Sequence, residues 1–243
     1  MISGLDHLVI LVEDLGQAMR GYERLGFVVT SGGEHADGLT RNALIPFHDG
    51  SYLEIVAFLD LDDPRDNVWG WRRFAATGGI VDHCLTSSDL AADVGMMREA
   101  GLQLEGPDDG GRRLPDGEEI RWRSASIEQE GRALPFLIED VTPRSRRVPA
   151  GQAAEHQNGA TGISALEISA PDPEEAARAY AAMVGNPEAR EEGRMVHLGS
   201  CEVSFAESAG AAGPRAVRLA VRTGGVKEDL NPDLTFGSRI RLG

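Results

Sequence analysis

The chain is predicted to fold as an α+β protein made of repeated β-α-β-β-β modules. Three observations predict it. An Asp suited to start a helix and a Gly suited to end one recur as Asp14 and Gly26, Asp89 and Gly101, and Asp172 and Gly185, separations of 12, 12 and 13 residues. Each pair follows a short apolar run: HLVILVEDL, HCLTSSDL and ALEISAPDP. Each is followed by stretches rich in β-branched and aromatic residues, broken by Gly, Pro and Asp. Self-similarity of this kind marks one supersecondary unit used several times.

The elements follow in order. LDHLVILV reads as a strand, and Asp14 caps a helix whose apolar stripe is Leu15, Met19, Tyr22 and Leu25. FVVT, RNALIPF and SYLEIVAF are three further strands, separated by the glycine-rich loop SGGEHADG and the turn HDG. This is module one, residues 1–60. The segment LDLDDPRDNVWGWRRFAATGG is too aromatic for a plain linker and is expected to cross the fold with a short helix near Trp69 to Phe74. Module two, residues 78–142, repeats the order: strand VDHCLT, cap Asp89, helix stripe Leu90, Val94 and Met97, then strands around LQLE, EEIRWRSASI and ALPFLIED. Residues 143–160, rich in Pro and Arg, read as an exposed connector. A third module at 161–224 opens with SALEISA, has the cap, first-turn proline and acid Asp172, Pro173 and Glu175, and closes with RMVHLG, CEVSFAES and AVRLAVRT. The tail 225–243 has no clear periodicity.

Composition narrows the function classes. Net charge is −15, and Lys227 is the only lysine among 24 cations, so nonspecific binding to nucleic acid or an anionic membrane is disfavoured. No apolar run approaches the ~20 residues of a membrane helix. The two cysteines, Cys84 and Cys201, form no metal or redox motif, which fits a reduced cytoplasmic setting. There is no P-loop, no dinucleotide GxGxxG after a strand and no GxSxG elbow.

The repeat that opens with "DH" and ends in "YLE" resembles the vicinal oxygen chelate superfamily, which includes glyoxalase I, extradiol dioxygenases and bleomycin-resistance proteins. GLDHLVILVEDL, GGEHADGLTRNALIPF, GSYLEIVAF, RRLPDGEEIRWR and LPFLIED resemble its glyoxalase-like branch. The resemblance implies that two modules pair into an open barrel around one cavity. It also implies a divalent metal (Fe, Mn, Ni, Co or Zn) held by His7 and Glu54 of module one and His83 and Glu139 of module two. Strand parity independently sends His7, Val9 and Leu11 to one face, and Tyr52, Glu54 and Val56 inward on theirs. The competing reading makes His7 and His83 core histidines and Glu54 half of a buried ion pair. His35, in the glycine-rich loop, is a candidate for proton transfer together with Glu54. Asn42, Arg113 and Trp122 are candidates for binding substrate. His48 and His156 read as exposed turn residues, and His197 has no assigned role. The resemblance implies metal-assisted isomerisation, epimerisation or lyase chemistry on a small oxygenated metabolite. The alternatives are an Fe(II) or Mn(II) ring-cleaving dioxygenase and a binding protein of the bleomycin-resistance type. The third module lacks the histidine, with Ala165 in its place, and is expected to pack on the first two or pair with a second copy.

Overall fold

The structure is a computed structural model that describes residues 1–185, 193–208, 210 and 212–243. Module one runs β1 (Ile2–Leu11), α1 (Leu15–Arg24), β2 (Thr30–His35), β3 (Thr40–Pro46) and β4 (Tyr52–Phe58). Module two runs β5 (Gly79–Ser87), α2 (Leu90–Glu99), β6 (Leu104–Arg113), β7 (Glu119–Ile127) and β8 (Phe136–Asp140). The three helix-starting acids all cap. Asp14 accepts from the Gln17 N–H at 2.9 Å, and Asp89 from Ala92 at 3.2 Å. Asp172 accepts from Glu175 at 2.9 Å, at the start of α4 (Pro173–Val184).

The two modules pair in a ring of order β1-β4-β3-β2-β6-β7-β8-β5. β1 and β5 join them antiparallel at one seam. At the other seam β2 meets β6 through Glu34 opposite Arg113 and His35 opposite Arg112, which closes the barrel. Side-chain alternation then separates two cores. Leu8, Ile10, Leu53 and Ile55 face outward to α1 and the helical layer, while Val9, Leu11 and Val56 face the barrel interior. The crossing segment forms a 3-10 turn at Trp71–Phe74. Trp69 and Trp71 stack at 4.6 Å and join that interior core.

The segment SGGEHADG is not a mobile rim loop. Its first half lies in β2, where the glycines make room for close approach. A Cβ on Gly32 would lie 2.0 Å from Asn42 Oδ1, and one on Gly33 would lie 1.9 Å from the Arg113 carbonyl oxygen. The freedom that glycine allows is used here to bring strands together.

After α3 (Arg144–Arg147), the C-terminal half contains β9 (Ala160–Ala170), α4, β10 (Met195–Leu198), β11 (Cys201–Glu207), β12 (Gly213–Val221), β13 (Glu228–Asp229) and β14 (Arg239–Leu242). Its sheet order is β10-β11-β9-β12-β14-β13. β9 pairs parallel with β11 and antiparallel with β12, and β12 pairs parallel with β14. The barrel has the same relations in β1–β4, β1–β5 and β5–β8. AVRLAVRT, expected to close the third module, is therefore the opening strand of a shortened fourth unit. The tail supplies that unit's last strands, where loose order was expected. The outer core is continuous between the halves, joining Leu8 and Leu85 of the barrel to Leu166, Tyr180 and Val217. Among the described residues no helix is long and apolar enough to cross a membrane.

The connector is only partly exposed: Arg147, Val148, Ala154 and His156 are buried. Arg147 is 2% exposed. Its guanidinium binds Asp6 through two 3.0 Å bonds, Asp140 at 2.5 and 2.9 Å, and the Tyr52 hydroxyl at 2.7 Å. His156, expected in an exposed turn, is buried against Phe27 and Phe47, accepts from the Val28 N–H and donates to the Pro46 carbonyl. A charge-rich sequence reads as surface when each charge is counted alone. Here the carboxylates that neutralise the connector are Asp6 on β1, 138 residues from Arg144 and 141 from Arg147, and Asp140 on β8, seven from Arg147. Arg147→Met should cost about 3–5 kcal/mol, because it removes the buried guanidinium that pairs with both Asp6 and Asp140 and leaves Asp6 only His7 and the partly exposed Arg144. Arg146→Ala, at a half-exposed ion pair with Glu118, should stay within about 0.5 kcal/mol of wild type in urea unfolding.

Candidate active site

The polar centre of the barrel is built by module one. Asp6 and His7 come from β1, and Tyr52 and Glu54 from β4. His35 comes from the end of β2, and Thr40 and Asn42 from β3. Parity aims His7 and Glu54 at the same interior space, where His7 Nε2 lies 3.2 Å from Glu54 Oε2. His7 Nδ1 is 2.7 Å from Asp6 Oδ1, and its ring stacks on Tyr52 at 4.5 Å. His35 Nδ1 meets the Thr40 hydroxyl at 2.7 Å. Its Nε2 is held more loosely, 3.4 Å from Asn42 Nδ2 and 3.5 Å from Glu54 Oε1. Asn42 Nδ2 donates to Glu54 Oε1 at 2.5 Å. Glu54 thus lies between two imidazoles, walled by Trp69, Trp122 and Phe136.

Burial and pairing set the charges. Burial alone would raise Glu54, but the hydrogen bonds and charge of His35 and His7 overcome it and hold the carboxyl well below its usual range. Burial would lower His7, and its bonds to Asp6 and Glu54 reverse that, so its pKa is raised. Asp6 is likewise held well below the ordinary value against burial, chiefly by Arg147 and His7. The centre is thus a chain of Asp6, His7 and Glu54 in which each group's neighbours favour its charged form.

Two of the four expected metal positions do not join it. His83 is wholly buried but faces out of the barrel, opposite Leu8 in the β1–β5 register, with its ring stacked on Tyr180 of α4. From His7 to its cap Asp14 is seven residues; from His83 to Asp89 it is six. Because strand faces alternate, that one-residue difference turns His83 to the opposite face. Counted back from the cap, Asp82 stands where His7 stands in module one. It accepts from Trp71 Nε1 at 2.9 Å and lies 3.5 Å from Arg132. Phe136, paired with Cys84, stands where Glu54 stands, paired with Val9. Glu139 lies on the other face of β8 and pairs with the half-exposed Arg123 at 2.6 Å. Among the described residues no group of three His, Cys, Asp or Glu side chains is set to hold a metal ion. The four-position metal set implied by the resemblance therefore does not fit the residues present.

Of the substrate-binding candidates, Asn42 and Trp122 face the interior, and Arg113 is an exposed rim residue paired with Glu119 at 3.1 Å. The inward arginine is its neighbour Arg112, 4% exposed. The inner cavity is small, about 20 Å³, room for about one water. A larger depression of about 480 Å³ lies over the β2–β6–β7 seam. Buried His35 and Arg112 form its floor and exposed Arg113 and Glu119 its rim, so these two floor residues line both spaces. Sequence reading missed Asp6, Arg112 and Arg147. Parity along RRLPDGEEIRW separates Arg112 from Arg113, but only the strand pairing tells which of the two faces inward.

Barrel topology, a His–Glu pair on β1 and β4, and an enclosed aromatic interior together define a protein of the vicinal oxygen chelate class. The family model described as "Glyoxalase-like domain" matches residues 5–184, and the chain belongs to that family. The match runs through the connector and α4. Comparison with curated proteins finds no match. Among solved structures, a hypothetical protein from Staphylococcus aureus is similar over 98% of both chains, with TM-score 0.78 and 14% identity. A mutant 4-hydroxymandelate synthase from Streptomyces coelicolor is similar over 90% of this chain and 71% of its own, with TM-score 0.60 and 17% identity. A xylose isomerase-like TIM barrel/4-hydroxyphenylpyruvate dioxygenase fusion protein gives TM-score 0.55 at 15% identity, over 96% of this chain and 40% of its own. At these identities the likeness is one of fold.

The histidines make stability depend on pH in opposite directions. His7, raised above 6.5, contributes fully below that value, and the contribution is lost as pH rises through its folded pKa. His83, lowered by burial to about 3, stays neutral in the fold while the unfolded chain takes up a proton, so stability falls as pH drops below 6.5. Thermal unfolding should therefore show a maximum near pH 6.5. His83→Leu should flatten the acid limb between 6.5 and 4.5, by up to about 1.4 kcal/mol per pH unit. An unaltered acid limb in His83→Leu would mean that His83 takes up its proton in the folded protein.

Proposed function

We propose that the barrel is the active site of an enzyme that moves a proton on a small oxygenated compound, as isomerases and epimerases do. One observation carries this reading. His35 Nε2 is the least firmly held ring nitrogen of the centre, and the His35 side chain lines a depression of small-molecule size. A ligand in the depression meets His35 first and Glu54 behind it. Thr40 orients the ring through Nδ1, and in the tautomer that donates Nδ1–H to the Thr40 hydroxyl, Nε2 is the nitrogen that takes the proton. The imidazolium that forms is then stabilised by Glu54, whose own proton affinity is kept low by His7. Asn42 holds the carboxylate in place. The fold neighbours named as a synthase and a dioxygenase fusion protein support a catalytic use of this barrel.

Exchange of carbon-bound protons for deuterium tests the reading without knowledge of the natural substrate. The full chain in D₂O is incubated with hydroxyacetone, acetoin, glyceraldehyde and pyruvate, and loss of the α-proton signal is followed by NMR. At least one probe should exchange faster than without protein. His35→Gln should slow that exchange by about 10²–10⁴-fold at unchanged melting temperature. No exchange with any probe, or full exchange in His35→Gln, would sink the assignment. Exchange abolished by EDTA and restored by Mn²⁺ would replace it with a metal-assisted reaction.

A further inference from the structure

Three arginines, two histidines and three carboxylates meet in and around the barrel centre. Asp6, Glu54 and Asp140 are matched by His7, Arg144 and Arg147 in a connected set of ion pairs. Arg112 is the cation left over. It makes no ion pair among the described residues, although it is 4% exposed. Among the described residues its guanidinium makes one hydrogen bond, from Nη2 to the neutral carbonyl of Arg147 at 2.5 Å, and its Nε–H has no partner there. A guanidinium carries five donors in a planar fork, and a buried one left unmatched is costly. Arg147, a few ångströms along the same network, shows how this fold satisfies a buried guanidinium when nothing else is to bind there: two carboxylates and a phenol hydroxyl.

The surroundings point the same way. Arg112 is directly opposite His35 in the β2–β6 register, and both line the depression of about 480 Å³ as well as the inner cavity. On β7, Trp122 also faces the interior with its indole N–H unpartnered. Two orphan donors and a flat aromatic wall thus flank the imidazole. We infer that Arg112 is the anchor for a carboxylate on the ligand, so that the compound bound in this barrel is a flat monoanion whose body occupies the depression beside His35. The planar fork takes both oxygens of a carboxylate, which fixes the ligand's orientation as well as its charge. This deepens the proton-transfer reading, since it names the ligand class of the same site, but it stands on different atoms.

Benzoate and its neutral isostere benzamide are the probes. Neither has a proton that His35 can exchange, so their binding does not depend on the proposed reaction. Affinity is read by calorimetry and by the fluorescence of the interior tryptophans, with the full chain. Wild type should bind benzoate roughly 10- to 100-fold more tightly than benzamide. Arg112→Met should erase that preference while circular dichroism and melting stay cooperative. Arg112→Lys, which keeps the charge and loses the fork, should weaken benzoate binding, and it decides the matter if Arg112→Met does not fold. Equal binding of the two probes, no binding of benzoate, or an undiminished preference in either folded variant overturns the inference. If benzoate binding depends on Arg112 while no probe undergoes exchange, the anchor stands and the proton-transfer reading falls. If exchange occurs and benzoate does not bind, the proton-transfer reading stands and the anchor falls.

Discussion

One fully buried carboxylate, Asp6, organises the barrel. It holds His7 through Nδ1, receives both Nη atoms of Arg147, and pairs with Arg144. Its negative charge has no access to water, so it is tolerable only while those partners stay in place. That requirement ties the connector down onto the barrel and sets the imidazole's orientation. It also raises the His7 pKa against burial, and His35 and His7 together hold that of Glu54 well below its usual range. The electrostatics of the centre therefore begin with a residue that is not itself exposed to the cavity, and a chain of short contacts passes its effect to the two that are, Glu54 and His35.

The two modules share a backbone plan and divide the chemistry between them. Module one supplies His7, His35 and Glu54 of the centre, and module two supplies its walls, Trp122, Phe136 and Ile138, with the Arg112 guanidinium at the seam. The division follows from a one-residue difference in spacing between histidine and helix cap, which turns His83 outward and Asp82 inward. Asp82 is then quenched by Trp71 and Arg132, and burial raises its pKa. His83, whose ring nitrogens have no hydrogen-bond partner among the described residues, becomes packing material between the barrel and Tyr180. A duplicated unit thus keeps its shape while one copy loses its ligand chemistry, because the shape depends on outer-face apolar residues and capping acids that both copies retain.

The C-terminal half repeats the strand relations of the barrel, and among the described residues its sheet ends at β10 and β13. It is joined to the barrel through the shared outer core and through the stacked His83–Tyr180 pair. Its helix α4 buries Ala177, Tyr180 and Met183 against that core. In this way a sheet that would otherwise expose one face gains a partner within the same chain.

The amino-acid sequence by itself determined the repeat, the three capped helices, the strand order of the first two modules and the inward aim of His7 and Glu54. All of these follow from local rules: an Asp that accepts from helix N–H groups, a helical stripe, and a period of two along a strand. Tertiary structure decided the rest, and did so where a residue's fate depends on a distant partner. Pairing of β2 with β6 turned an apparently free glycine loop into a strand and chose Arg112 over Arg113. Carboxylates from β1 and β8 drew Arg147 out of solvent. Pairing with β12 converted an apparently patternless tail into the last strands of a shortened unit. The outward turn of His83 lies between the two: its cause is a spacing visible in the sequence, but its meaning emerges only once the caps, and not the histidines, are taken as the points of alignment.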